Sequence, residues 1–323
     1  MKILIPVDGS SYSKTALAFL ASRRELLALK PHIELLVAPE PLPEIVPRIA
    51  SKETLIKYYE ISAEDVLKPS REFLAKEKIH AQEKVFLTDE PAKAIVEEAK
   101  ITAPDLIIMG SKNYGVHSGY FVGSVTGAVL SHTTEPVLVI RNRPVPEKAD
   151  YAVGICVDGS DYSRAAVQYA ADHKELFGKN AEYHLIHVSG DYSDLMALGN
   201  AMVAKLISSH RKESYERVAD TVRPTLEAAG ITPVEVSLTG NPGNEIAAYA
   251  KKAGLDMLVL GSRGQNTLMT AVLGSTASRT ASQADVPLLV IRKPLKKEVG
   301  ASWPLSPGES SPGFFVSNLC LYD

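Results

Sequence analysis

The chain has 323 residues, 35 basic and 38 acidic, with a formal charge of −3, which suits two domains of ordinary size and excludes the basic excess of a nucleic-acid-binding protein. No run of 18 apolar residues occurs, which excludes a membrane-crossing helix. Two cysteines, Cys156 and Cys320, lack metal or redox spacing and fit a reducing cytoplasm, Cys156 reading as buried strand filler.

In chain order, the segment from Met1 to Asp8 has an apolar run too short for a signal peptide and reads as a strand. Strands are predicted at 3–7, 33–37, 82–87, 106–109 and 137–140. A helix from 13 to about 29 places Leu17, Leu20, Arg24 and Leu27 near one face. The polar segment 141–148 contains Pro144 and Pro146 and reads as a linker, with a boundary near 146. Further strands are predicted at 152–157, 183–188, 234–238, 257–260 and 288–291. A long helix over most of 194–229 ends at Gly230. Residues 294–323 are rich in Pro, Ser and Gly and read as a disordered tail, the alternative being a segment that docks on a groove or partner.

The second half repeats the first. Val7-Asp8-Gly9-Ser10 recurs as Val157-Asp158-Gly159-Ser160, and Thr88 and Pro91 recur as Thr239 and Pro242. Gly110-Ser111, Gly123-Ser124 and Pro136-Val137 recur as Gly261-Ser262, Gly274-Ser275 and Pro287-Leu288. An offset of about 150 residues held across five blocks means two homologous domains in tandem, 1–146 and 147–293. Short β-branched runs alternate with amphipathic stretches, and 106–109 and 288–291 are apolar throughout, as strands covered on both faces are. The expected fold is therefore α/β: two doubly wound domains, each a five-stranded parallel sheet of order 3-2-1-4-5 with helices on both faces.

The repeated blocks carry the chemistry. Gly261-Ser262-Arg263-Gly264 follows a strand, and Gly274-Ser275-Thr276 opens the next helix. Glycine lets the backbone approach an anion, and a helix N-terminus favours negative charge. In order 3-2-1-4-5, Asp158 and Gly261 end the two strands flanking the switch point, where ligands bind. An aspartate there accepts hydrogen bonds from ribose hydroxyls while the glycine loop cradles phosphates; the plainer roles are an Asp-Gly turn and ordinary turn glycines.

Over residues 1–293 the sequence resembles the universal stress protein family, specifically its tandem two-domain members. The family's nucleotide pattern is Gly, two residues, Gly, nine residues, Gly, then Ser or Thr, and Gly261, Gly264, Gly274 and Ser275 match it in full. The resemblance implies ATP as ligand, Mg²⁺ accompanying it, with Asp158 at the adenosine, Val188 against adenine, Arg263 beside the phosphates and Thr276 at the phosphate-binding helix start. In domain 1, Asp8, Gly110, Gly123 and Ser124 keep the pattern, Lys112 stands where Arg263 does and Val125 where Thr276 does. Asn113 replaces the second glycine, tolerating positive φ but occupying phosphate space. Ala38 takes the register of Val188 and precedes Pro39, Pro41, Pro43 and Pro47. The first site thus reads as a degenerate copy of the second.

Other signals are weaker. There is no P-loop and no G-x-G-x-x-G, and Val125 sits where a G-x-S-x-G nucleophile belongs. His184 and His187, three apart on a strand, point to opposite faces and do not suit chelation. The expectation is a cytoplasmic, ATP-binding stress or regulatory protein acting as an intramolecular pseudo-dimer through 137–140 and 288–291. The alternatives are a nucleotide-independent scaffold and a slow ATP hydrolase, for which no general base or Mg²⁺ carboxylate cluster is evident. Expected partners are the nucleotide, a regulatory protein and a second copy of the chain, with no nucleic acid and no membrane.

Overall fold

The computed structural model describes residues 1–39, 42–43, 45–87, 90–111, 123–141, 144–146, 148–192, 195, 197, 199–262 and 273–292, with the backbone of 315–316 and 319–321. Domain 1 runs β1 (Lys2–Pro6), α1 (Ser11–Ser22), α2 (Arg24–Ala28), β2 (His32–Val37), α3 (Ile45–Ile49), α4 (Lys52–Lys76), β3 (Gln82–Leu87), α5 (Pro91–Thr102), β4 (Leu106–Ser111), α6 (Ser124–His132) and β5 (Val137–Arg141). Domain 2 runs β6 (Ala152–Cys156), α7 (Asp161–Asp172), a 3₁₀ turn (Lys174–Leu176), β7 (Glu182–Ser189), α8 (Ala201–Asp220), α9 (Arg223–Ala228), β8 (Val234–Thr239), α10 (Pro242–Ala253), β9 (Met257–Gly261), α11 (Ser275–Gln283) and β10 (Leu288–Ile291).

Within each domain the strands pair in parallel, as β3-β2-β1-β4-β5 and β8-β7-β6-β9-β10, which is the order 3-2-1-4-5 twice. Alternate residues feed two apolar layers. Ile3, Ile5, Leu35, Leu106 and Ile108 pack with Leu17, Leu20 and Leu67 of α1 and α4. Leu4, Leu36, Ile107 and Met109 pack with Ile95, Ala99 and Val129 of α5 and α6. Both layers continue into domain 2, because β5 and β10 join antiparallel with Leu288 opposite Val139, Leu289 opposite Leu138 and Val290 opposite Val137. All six side chains are buried. At about 1.5–3 kcal/mol for each aliphatic side chain withdrawn from water, this seam is a core rather than a loose contact.

Two helices differ from the sequence reading. The helix expected over 13–29 divides at Arg23, whose φ of −87° and ψ of 71° interrupt the helical run. Arg23 and Leu26 face inward, and Arg24 is exposed. The stretch 194–229, expected to be helical over most of its length, is interrupted: Leu195 and Ala197 are helical, α8 starts at Ala201, where the Asn200 side chain accepts from Met202 N and Val203 N, and α9 starts afresh after Val222. Pro224, near the α9 start, has no N–H to continue the earlier ladder. Gly230 follows with a φ of 67°. In the tail, β11 (Phe315–Val316) pairs with β12 (Leu319–Leu321), and β12 lies parallel to β3 with Leu319 opposite Val85. The remainder of 294–323 lies outside the described residues.

One polar cluster interrupts the α5 layer. Glu98 of α5 is fully buried and paired with the Lys84 ammonium of β3. Burial, with Glu98 beside it, pushes the Glu34 carboxyl of β2 up to about 7. A carboxyl whose folded pKa lies above its unfolded value adds stability below the unfolded pKa, near 4.5, and loses that stability as pH rises through about 7. Glu34→Gln keeps a hydrogen-bond donor without the ionisation. It is expected to be more stable than the parent at pH 8, by roughly 1–2 kcal/mol after allowance for partial exposure, and nearly equal at pH 5. Urea unfolding at the two pH values measures this, and a constant difference between them refutes it.

Candidate functional site

Two cavities open at the carboxyl ends of the strands, where the strand order reverses beside β1 and β4 and again beside β6 and β9. The turn after β6 builds the first wall. Val157 N continues the ladder by donating to Ile186 O, and then Gly159 turns the chain with a φ of 81°. Asp158 Oδ1 accepts from Ser160 N at 3.0 Å, and Ser160 Oγ caps α7 by accepting from Ser163 N. Domain 1 repeats each step: Val7 N to Leu36 O, Gly9 at 75°, Asp8 Oδ1 from Ser10 N at 3.0 Å, and Ser10 Oγ from Ser13 N. The turn role of the aspartate is therefore filled by one carboxylate oxygen, while Asp158 and Asp8 both line their cavities.

The glycines divide into two kinds. A Cβ on Gly110 would fall 2.1 Å from Tyr12 O, and one on Gly261 would fall 2.7 Å from the Tyr162 carbonyl carbon. These glycines let the first turn of α1 or α7 press against a strand end. Gly123 is different: a Cβ there would meet nothing within 4 Å. Gly123 and Gly274 are the N-caps of α6 and α11, and among the described residues neither helix receives a side-chain cap. A helix cannot satisfy its own first-turn N–H groups. In domain 2 those belong to Ser275, Thr276 and Ala277, which lie in the cavity wall. Ser262 beside them is 1% exposed, and its Oγ has no hydrogen-bond partner among the described residues.

The domain 2 cavity, of about 550 Å³, gathers Asp158, Val188, Gly261, Gly274, Ser275 and Thr276. The domain 1 cavity, of about 330 Å³, gathers Asp8, Ala38, Gly110, Gly123, Ser124 and Val125. Arg263, Gly264, Lys112 and Asn113 lie outside the described residues. The strands leading into the two cavities differ in length. β7 runs on to Ser189, whereas β2 stops at Val37, ahead of Pro39, and a proline donates nothing to a ladder.

His187, Ser189 and Ser214 line the larger cavity and were missed as ligand-facing residues in the sequence. Val157 O accepts from His187 Nδ1 at 2.9 Å, so Nδ1 carries the proton. Nε2 pairs with the Ser214 hydroxyl at 2.9 Å. The position of His187 at the carboxyl end of a strand was the available signal. His184 points the other way, to the Tyr249 hydroxyl of α10 at 2.8 Å, so the two histidines do lie on opposite faces.

This doubled architecture has known counterparts. The family model described as the universal stress protein family matches twice, over residues 1–141 and 152–292. The chain belongs to the universal stress protein family. A universal stress protein of Methanocaldococcus jannaschii is 34% identical over 159 residues, covering 49% of this chain and 90% of that protein. One from Mycobacterium tuberculosis is 26% identical over 230 residues, 68% of this chain and 74% of the relative. The crystal structure of a universal stress protein from Archaeoglobus fulgidus shares the fold, with a TM-score of 0.64 at 22% identity over 90% of this chain and 98% of that one. As a tandem universal stress protein, this chain carries two family domains and, among its described residues, no helix long and apolar enough to cross a membrane.

Proposed function

We propose that this universal stress protein binds ATP in domain 2 and acts by changing its conformation or partner with occupancy, rather than by turnover. The observation that carries this reading is the α11 N-terminus and the buried Ser262 hydroxyl beside it, both without a side-chain partner among the described residues, in a cavity that also holds a carboxylate at the strand switch point. Phosphate oxygens would satisfy the N–H groups of Ser275 and Thr276 and the Ser262 hydroxyl. The ribose hydroxyls would donate to Asp158, and adenine would lie against Val188. Arg263 and Gly264 are proposed at the phosphates from the sequence pattern. Among the described residues no group of three His, Cys, Asp or Glu is placed to hold a metal ion, so Mg²⁺ is proposed as the companion of the phosphates. The domain 1 site is proposed as a weaker copy, using Asp8, Ala38, Gly110, Lys112, Asn113, Gly123, Ser124 and Val125.

Binding without turnover follows from the lining. Asp158 is the carboxylate among the described cavity residues and already supports a turn, while His187 has both ring nitrogens engaged. Among the described residues lining the cavity, no group stands ready to take a proton from water. A ligand acts only through differential affinity for two states, and a regulatory protein is the proposed reader.

Denaturing the purified protein and analysing the supernatant by mass spectrometry is expected to release adenine nucleotide. Asp158→Asn preserves the acceptor for Ser160 N while removing the charge, and it is expected to weaken ATP binding about tenfold or more by calorimetry. Asp8→Asn is expected to leave the tighter site unchanged. An empty protein with no thermal shift in millimolar ATP would return the chain to the nucleotide-independent scaffold reading.

A further inference from the structure

Two buried arginines cross the domain seam in opposite directions. Arg141, ending β5 of domain 1, donates from its guanidinium to Ala281 O near the end of α11 in domain 2. Arg292, following β10 of domain 2, donates to Leu130 O near the end of α6 in domain 1. Arg141 is 2% exposed and Arg292 7%. Arg141 and Arg292 are repeat counterparts, as are Leu130 and Ala281. In each helix the accepted carbonyl is one of the last four, which the helix leaves without an internal partner.

These are the same two helices whose N-termini form the candidate phosphate cradles. A cation at one end of a helix and an anion at the other act on a single aligned dipole. The hydrogen bonds also close a circuit through both cradles. Gly274 N donates to Ser262 O at 2.8 Å, and Ser262 N donates to Ile291 O at 2.9 Å, next to Arg292. Arg292 reaches α6, whose cap Gly123 N donates to Ser111 Oγ at 3.3 Å. Ser111 lies opposite Arg141 in the β4–β5 register, and Arg141 returns to α11.

We infer that Arg141 and Arg292 are positioning residues that couple the two sites, each arginine of one domain fixing the anion-binding helix of the other. Burial pulls the Arg141 guanidinium down to about 10, with Asp285 opposing, which leaves it charged at neutral pH. Any anion that settles on the α11 cradle therefore stiffens a helix anchored in domain 1, and the converse holds for α6. The inference rests on the nucleotide reading for its ligand, though not for the clamp itself.

The test compares full-length Arg141→Met, Arg292→Met and the parent by amide hydrogen exchange and ATP calorimetry. Arg141→Met is expected to speed exchange across 275–283 in domain 2 and to weaken ATP binding at domain 2 about threefold or more, although it alters a domain 1 residue. Arg292→Met is expected to speed exchange across 124–132 and to spare 275–283. Arg141→Lys, which keeps the charge, is expected to recover most of the effect, and Arg141→Gln replaces the methionine variant if that fails to fold. At ATP concentrations that fill only the tighter domain 2 site, the parent is expected to show protection of 124–132 as well as 275–283, and the double methionine variant protection of 275–283 alone. Uniform exchange changes in both domains, or none, overturn the inference. If the parent binds no ATP, the nucleotide reading fails, and the crossed exchange pattern still decides the clamp.

Discussion

Gly110→Ala is expected to destabilise domain 1 by about 3 kcal/mol or more. The added Cβ would lie 2.1 Å from Tyr12 O, 2.3 Å from Tyr12 C and 2.9 Å from Ser13 N. All three are backbone atoms in the first turn of α1, so no rotamer change relieves the overlap. The helix start must move off β4, and it carries the Ser10 cap and the Asp8 turn with it. The damage should therefore extend to the mouth of the domain 1 cavity. Gly123→Ala is the control: open space surrounds its Cβ, so the stability cost should stay near 1 kcal/mol, the cost of alanine at an N-cap. Guanidinium unfolding followed by circular dichroism makes the comparison. A Gly110→Ala protein within 1 kcal/mol of the parent would show that α1 and β4 tolerate separation, and the division of the glycines into packing and cradle positions would fall.

That division marks the boundary of what the sequence made legible. The repeat, the strand order and the seam were readable, because buried strands such as 106–109 and 288–291 are apolar on both faces and the offset fixes their counterparts. The positions of the described candidates beside the cavities were readable, since strand ends and helix starts in this topology converge on one crevice. The reason for each glycine was not readable. Gly110 and Gly123 look alike in sequence, yet one admits a helix against a strand and the other leaves a helix end open. His187 escaped because its role depends on Val157 and Ser214, which come from elements remote in the chain. Arg141 reads in the sequence as the start of the polar linker, and nothing local marks Arg292. Their partners, Ala281 and Leu130, are defined only once the two sheets meet. Cross-domain contacts leave little trace in a local pattern, and Arg23 is another instance.

Arg23→Ala is expected to cost about 2–4 kcal/mol and to loosen the joint between the domains. Arg23 interrupts what would be one helix, and its buried side chain explains why. The guanidinium lies 3.7 Å from the Tyr151 ring centroid and 5.5 Å from that of Phe19. It donates to Lys148 O at 2.7 Å and to Ala149 O at 3.3 Å, and Nε donates to Ser22 Oγ at 3.0 Å. One domain 1 residue thus holds the last linker residues just where domain 2 begins. Lys148 is tied from the other side by its 2.5 Å pair with Asp256, which also accepts from Ala152 N. Burial lowers the Arg23 pKa, opposed by Tyr151 and by Asp256 and Asp150, so the cation is kept at a desolvation cost that its carbonyl and ring partners offset. Alanine removes the stacking and both carbonyl partners and leaves a void beside Tyr151. Arg23→Met fills most of that void and carries no charge, so it separates packing from hydrogen bonding: if it restores stability, packing dominates. Limited proteolysis supplies the second readout. Cleavage within 142–150 should accelerate in both variants if the carbonyl contacts restrain the linker, and in the alanine variant alone if the ring stack does. Unchanged cleavage and unchanged unfolding in Arg23→Ala would show that the β5–β10 seam holds the two domains without help from this residue.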